Sequence, residues 1–229
     1  YIQNALQEWK TPGLSVVVVK HSKVVFKKAY GVQNLSNKKP YTASTLSTCA
    51  STTKAMTAVC MGMLVDEGKV KWSDIVSDIL PEFKLADPYA TAEITIKDLF
   101  THNTGLGNAD MLWVLTYSRS EILHRMQFIP PAYSLRSSYI YQNLMYLVAG
   151  EVIKKVSGKS WDEFITERIF LPLGMNNTFA DYSKIPVTAS KTTPHFKDSD
   201  DKDSIKTINY LADDNIGPAG GVWSCADDI

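Results

Sequence analysis

The chain has 229 residues, 45% apolar and 21% charged, a composition that fits one large or two small folded units. Lys plus Arg number 24 and Asp plus Glu number 24, so the formal net charge is zero and no nucleic-acid or anionic-membrane partner is indicated. No apolar run approaches the roughly 20 residues of a membrane-spanning helix, and no histidine pair has metal-ligand spacing.

The chain opens at Tyr1-Ile2 without a leader-like stretch, as a mature or trimmed chain would. Residues 3–10 pattern as a short amphipathic helix with Ala5, Leu6 and Trp9 on one side, broken by Thr11-Pro12-Gly13. "LSVVVVK" and "VVFKKAYG" read as two strands of a hairpin turning at His21-Ser22-Lys23. The solid valine run predicts burial in a larger sheet, because two strands alone cannot bury a face. From Ser51 a helix is predicted, with Met56, Val59, Cys60, Met63 and Leu64 as its apolar stripe and Gly68 as its stop. Gly62 within it predicts close approach of another backbone.

Helices then dominate. "WSDIVSDIL" stops at Pro81, and Thr95/Asp98, Ser118/Glu121 and Ser160/Glu163 have capping-box spacing. "NLMYLVAGEVIKKVSG" carries a stripe of Leu144, Val148, Val152 and Val156. Residues 181–215 lose periodicity; "SKTTPHFKDSDDKDS" reads as a surface loop and "IKTINYL" as a short strand. "GPAGGVWSCADDI" is glycine-rich, with Gly220 and Gly221 allowing a tight turn. Three cysteines, Cys49, Cys60 and Cys225, fit neither a zinc nor a C-x-x-C pattern. They read as small buried hydrophobes, with one disulfide pair as the alternative, and Cys49 lacks a histidine partner for catalysis.

Chemistry concentrates in two short motifs. S-x-x-K occurs at Ser36–Lys39, Ser51–Lys54 and Ser199–Lys202, but only Ser51 opens an apolar-periodic helix. There, free backbone N–H groups favour a developing negative charge, and a lysine one turn on shares the serine's face. A desolvated lysine can act as the serine's base. A serine cap followed by an exposed lysine would look the same, and local features leave both readings open. Tyr141-Gln142-Asn143 is the only Y-x-N, just ahead of a strong helix. Its tyrosine can relay a proton and its asparagine can orient the lysine or a substrate.

These pieces lie in one order along the chain. "TPGLSVVVVKHSKVVFKKAYG", "STTK", "LVDEGKVKWSDIVSDILPEF", "ITIKDLFTHNTGL", "YQNLMYLVAGEVIKKVSGKSWDEFITERIFLPLGM" and "GPAGGVWSCADD" together resemble the serine β-lactamase and penicillin-binding-protein superfamily, in its class C β-lactamase, esterase and peptidase S12 branch. "LRSSYIYQNLMYLVAG" looks most like a subgroup of general serine hydrolases. The resemblance implies an α+β fold, an antiparallel sheet domain flanked by helices with an inserted all-helical domain. Residues 1–45 and 216–229 would belong to the sheet domain and 46–215 to the mainly helical one. It implies Ser51 as nucleophile, Lys54 and Tyr141 as proton-handling groups, and Asn143, Gln142 and Gly220 as substrate-side residues, with Gln142 reshaping the cleft. It implies a small-molecule or peptide carbonyl substrate, no metal or organic cofactor, and a periplasmic or secreted site of action.

The sequence departs from that pattern in two respects: Gln142 stands where the family often has a small residue, and the third motif is missing. The family's third motif, K-T-G or H-x-G, begins at no lysine or histidine here. A later segment or a second chain is then expected to complete the sheet. A non-catalytic or acylation-only binding domain of the same fold is the rival reading. His102 in "FTHNTG" reads as part of a helix-ending turn, with a Ser-His pair as the alternative; His124 reads as a packing or surface residue, and His21 and His195 as turn or loop residues. G-x-S-x-G is absent, which argues against an α/β-hydrolase. Trp113, Tyr133 and Trp223 are candidates for either a substrate cleft or packing.

Overall fold

The valine-rich stretches pair with one another in the computed structural model, which describes residues 1–115, 117–197, 204–210 and 214–229. Strand β1 (Gly13–Lys20) runs antiparallel to β2 (Lys23–Gly31), with Gly13 opposite Gly31 and a register shift between Val18 and Val19. The turn is two residues long, and both His21 (φ 50°) and Ser22 (φ 59°) are left-handed, the conformation that matches the twist of a tight hairpin. The sheet stops at these two strands. Val18, Val19, Val24, Val25 and Phe26 are exposed, so the burial expected from the valine run is not met within this chain.

The chain divides into two units by contact. The first comprises Tyr1–Thr48, Gly174–Ala212 and Trp223–Ile229. It holds α1 (Ile2–Glu8), the hairpin, β3 (Ser47–Thr48), β4 (His195–Lys197), β5 (Ile205–Thr207) and β6 (Trp223–Ser224). β3 pairs with β6 and β4 with β5, both antiparallel. Its core is Leu46, Ile185, Trp223 and Cys225, with Phe179, Tyr182, Ala189 and Tyr210 packed on it. That cluster is why residues 174–212 group with the strands and not with the helices, as 46–215 was expected to do. Part of the expected surface loop is strand β4, and Ser199–Lys202 lies outside the described residues.

The second unit comprises Cys49–Leu173 and Asp213–Val222. It holds α2 (Thr53–Asp66), α3 (Val76–Ile79), α4 (Pro88–Glu93), α5 (Met111–Val114), α6 (Arg119–Arg125) and α7 (Leu144–Ser157). α8 (Trp161–Ile165) runs through a π turn into α9 (Leu171–Leu173), and α10 (Gly217–Gly220) returns to pack on α2 and α7. None of the described helices is long and apolar enough to cross a membrane. The sequence-read caps are in place: Ser118 accepts from Glu121 N–H, and Ser160 and Glu163 form a reciprocal capping box. Gly68 (φ 69°) and Gly158 (φ 75°) end α2 and α7 in the left-handed conformation. Asp98 accepts from both the backbone N–H and the hydroxyl of Thr95.

α2 buries Cys60 and Leu64 as expected, but turns polar residues inward beside them. Thr53, Lys54, Thr57, Cys60, Met61 and Leu64 are buried, whereas Val59 is half exposed. The polar members of that face are satisfied by the 217–222 segment. Thr57 Oγ1 donates to Pro218 O (2.7 Å) and accepts from Trp161 Nε1 (3.1 Å), while Thr53 Oγ1 accepts from Val222 N (3.3 Å). Gly62 meets only the edge of the Trp72 ring, at 4.0 Å, and no backbone. Close approach occurs instead at Gly150 of α7, where a Cβ would lie 2.4 Å from Pro218 Cγ.

Gly150→Ala therefore overpacks this contact. We expect a net loss of stability in a urea midpoint, because overpacking costs about 1–3 kcal/mol against a gain of about 1 kcal/mol in helix propensity. An unchanged or raised midpoint would show that Pro218 is not fixed.

Candidate active site

Ser51 lies in a 3₁₀ turn, Ala50–Thr52, that leads directly into α2. The residue before it, Ala50, has φ 45°. A left-handed alanine costs roughly 1–2 kcal/mol, and such strain collects where a side chain must be presented at one angle. The rest of S-T-T-K holds the turn: Thr52 Oγ1 donates to Cys49 O (2.6 Å), and Cys49 N donates to Val222 O (2.7 Å). Ser51 itself is exposed.

Lys54 reaches back one turn and is 7% exposed. Its Nζ lies 3.2 Å from Ser51 Oγ, 2.8 Å from Asn143 Oδ1 and 2.7 Å from Ala219 O. The rings of Tyr141 and Tyr146 flank it at 4.8 and 5.2 Å. Burial holds its ammonium below the ordinary lysine range, against the raising influence of the Tyr141 hydroxyl and the Asp110 carboxylate. Tyr141 OH donates to Ser51 Oγ at 2.7 Å. Ser51, Lys54, Tyr141 and Asn143 thus form one connected set.

Asn143 sits at the entrance to α7, yet its side chain makes no cap bond. Its Nδ2 donates to Asp110 Oδ1 (3.0 Å), which also accepts from Trp113 Nε1 (3.1 Å). A carboxylate only accepts, so Asp110 fixes which end of the Asn143 amide faces Lys54. Asp110 has no local motif; only its distance of 33 positions from Asn143, closed by the fold, makes it part of the site.

One expected substrate-side residue is placed otherwise. Gln142 is 2% exposed, and its Nε2 donates to Leu106 O (2.8 Å) and Gly107 O (3.0 Å). Tyr141 and Asn143 face Lys54, whereas the Gln142 amide is taken up by these two carbonyls. At Gly220 a Cβ would make an ordinary 3.6 Å contact with Ala50, so a side chain is not sterically barred. The tight turn belongs to Gly221, where a Cβ would fall 2.7 Å from Gly217 Cα.

The remaining candidates separate cleanly. His102 Nδ1 accepts from Gln142 N (3.0 Å) and does not serve as a base on Ser51 among the described bonds. His124 is an exposed residue of α6 beside Gln127 and Phe128. His195 Nε2 accepts from Leu35 N. Trp223 is 2% exposed and belongs to the core of the first unit, while Tyr133 OH donates to His102 O. No disulfide joins the cysteines. Cys49 is half-buried, not buried as expected, and burial pushes the Cys60 thiol up to about 12. Ser36 sits in an exposed turn closed by Asn34 Oδ1.

Known proteins share this chain's pattern and shape. The Beta-lactamase family pattern matches residues 1–229. The unguisins hydrolase ungD of Aspergillus violaceofuscus is 32% identical over 188 residues, covering 78% of this chain and 33% of that protein. Protein flp of Staphylococcus aureus is 29% identical over 181 residues, covering 77% and 36%. This chain thus spans about a third of the length of these relatives. Among solved structures, the octameric penicillin-binding protein homologue from Pyrococcus abyssi superposes with a TM-score of 0.83 at 25% identity, over 99% of this chain and 52% of that one. FmtA from Staphylococcus aureus gives 0.83 and 25%, over 99% and 62%. The fold is the β-lactamase/transpeptidase-like α+β fold. On this pattern and this fold, the chain belongs to the β-lactamase family.

Proposed function

We propose that this chain carries the acylating centre of a serine hydrolase, with Ser51 attacking an amide, ester or lactam carbonyl. The observation that carries the reading is the set of contacts at Lys54 Nζ. A neutral amine has two N–H bonds and one lone pair. Asn143 Oδ1 and Ala219 O can only accept, so they take the two N–H bonds. The lone pair is left for the hydroxyl proton of Ser51. As Ser51 Oγ bonds the carbonyl carbon, its proton passes to Lys54 Nζ. Tyr141 OH, bonded to Ser51 Oγ, gives its proton to the leaving group and is reprotonated from the Lys54 ammonium, which returns to the neutral amine. Water then releases the acyl group and restores Ser51. A relative named as a hydrolase supports turnover over acylation alone.

The exposed hairpin supports a second element of this proposal. Strands from a segment outside this chain, or from a second chain, cover β1 and β2 and complete the site in the whole protein. The greater length of the relatives, of which the matched part is about a third, fits the first source.

In the full-length protein, a fluorophosphonate should attach to Ser51, as located by peptide mass. Lys54→Ala should slow labelling about 10²–10⁴-fold, the usual range for loss of a proton-transfer group. A folded full-length protein with no adduct at Ser51 would sink the reading. An acyl adduct from a penicillin or ester that forms and never clears would favour the acylation-only binding domain.

The pH dependence follows from Lys54. Acylation needs its neutral form, so the rate rises with pH through a limb below the ordinary lysine value. Asp110 stabilises the ammonium and raises that limb. Asp110→Asn keeps an acceptor for Asn143 and Trp113 but removes the charge. The acid limb of kcat/KM should move to lower pH; a shift upward, or none, would contradict the electrostatic assignment.

A further inference from the structure

His102 is held in place by more contacts than a helix-ending turn needs. It is a left-handed residue (φ 58°) whose carbonyl accepts from Ile140 N (3.0 Å) and from Tyr133 OH (3.2 Å). Its Nδ1 accepts from Gln142 N–H at 3.0 Å. Its ring stacks on Tyr141, with centroids 4.6 Å apart and planes at 30°. Tyr139 meets it edge-on and Tyr146 lies tilted against it, each at 5.6 Å. One residue therefore grips positions 140, 141 and 142 through backbone, ring face and ring nitrogen together.

We propose that His102 is a positioning residue for the acylating centre: its neutral imidazole fixes the Tyr141 phenol against Ser51, and protonation of the ring releases it. The inference rests on the acyl-enzyme reading above. The chemistry is a matter of donor count. A neutral ring with hydrogen on Nε2 presents an acceptor at Nδ1 to the Gln142 N–H. A protonated ring presents N–H to N–H, and the bond is lost. Among the described residues, the groups facing the ring are the Lys54 ammonium and the Tyr139, Tyr141 and Tyr146 phenols. None of them is a carboxylate that would pair with an imidazolium. Burial, with the Lys54 charge second, holds the imidazole below the ordinary histidine range. His102 and Lys54 thus both act in their neutral forms, and each charge disfavours the other.

The test uses the full-length protein, an activated ester as substrate, and fluorophosphonate titration of Ser51 to count competent sites. His102→Asn keeps an acceptor near the Nδ1 position, tolerates the left-handed backbone and cannot take up a proton. His102→Phe keeps a ring for stacking and loses the acceptor. Per titrated site at neutral pH, His102→Asn should stay within about 10-fold of wild type, and His102→Phe should lose about 10²-fold in kcat with KM little changed, the size expected for a small misplacement of a reacting group. Below the Lys54 limb, the wild-type log rate should fall with a slope of about two protons and that of His102→Asn with about one, since each neutral-form requirement adds one proton. Equal slopes in wild type and His102→Asn would overturn the proposal. So would His102→Phe with a lowered Tm but full activity per titrated site, the mark of a packing role alone. Absence of any Ser51 adduct in wild type would overturn the acyl-enzyme reading and this inference with it.

Discussion

Burial of the Lys54 amine is the constraint on which the rest of the second unit depends. A neutral amine that is 7% exposed cannot rely on water, so each of its two N–H bonds must find a protein acceptor. Asn143 and Ala219 supply them from the entrance of α7 and from α10. Both acceptors must be held still, which gives a physical purpose to the Asp110 bond on Asn143 and to the Pro218–Gly150 contact beneath Ala219. The Trp161–Thr57–Pro218 chain of hydrogen bonds serves the same end.

This explains why α2 turns polar residues inward. Thr53, Lys54 and Thr57 occupy one face because the 217–222 backbone offers acceptors and a donor there. An apolar stripe of Met56, Val59, Cys60, Met63 and Leu64 was legible in the sequence, and Cys60 and Leu64 are buried, but hydrophobicity alone cannot show that a carbonyl waits opposite a threonine. Val59 consequently sits half exposed. The helix, its start and its Gly68 stop were legible, because caps and glycine punctuation act over three or four residues.

The same distinction governs the site. Ser51 and Lys54 meet across one helical turn, so their pairing could be read from spacing. Tyr141 and Asn143 joined them through the family resemblance, and the fold brings both to Lys54. Gln142 was expected toward the cleft because Y-x-N does not say which way the middle residue points; its amide instead donates to Leu106 O and Gly107 O. Asp110 was beyond reach as a site residue, since it bonds Asn143 33 positions away, and the His102 bond to Gln142, 40 positions on, was equally hidden although His102 itself was weighed as a partner of Ser51. The hairpin itself was legible from its valine runs and the turn between them.

The most direct test of this account is the ionisation of Lys54 itself, followed by NMR of lysine side chains in the full-length protein and assigned by comparison with Lys54→Ala. The account predicts one amine that titrates well below the ordinary lysine value of about 10.4 and whose signal is lost in the variant. A Lys54 that titrates at or above that value would mean an ammonium at neutral pH with no lone pair for Ser51, and the proposed role of Lys54 as base would fail.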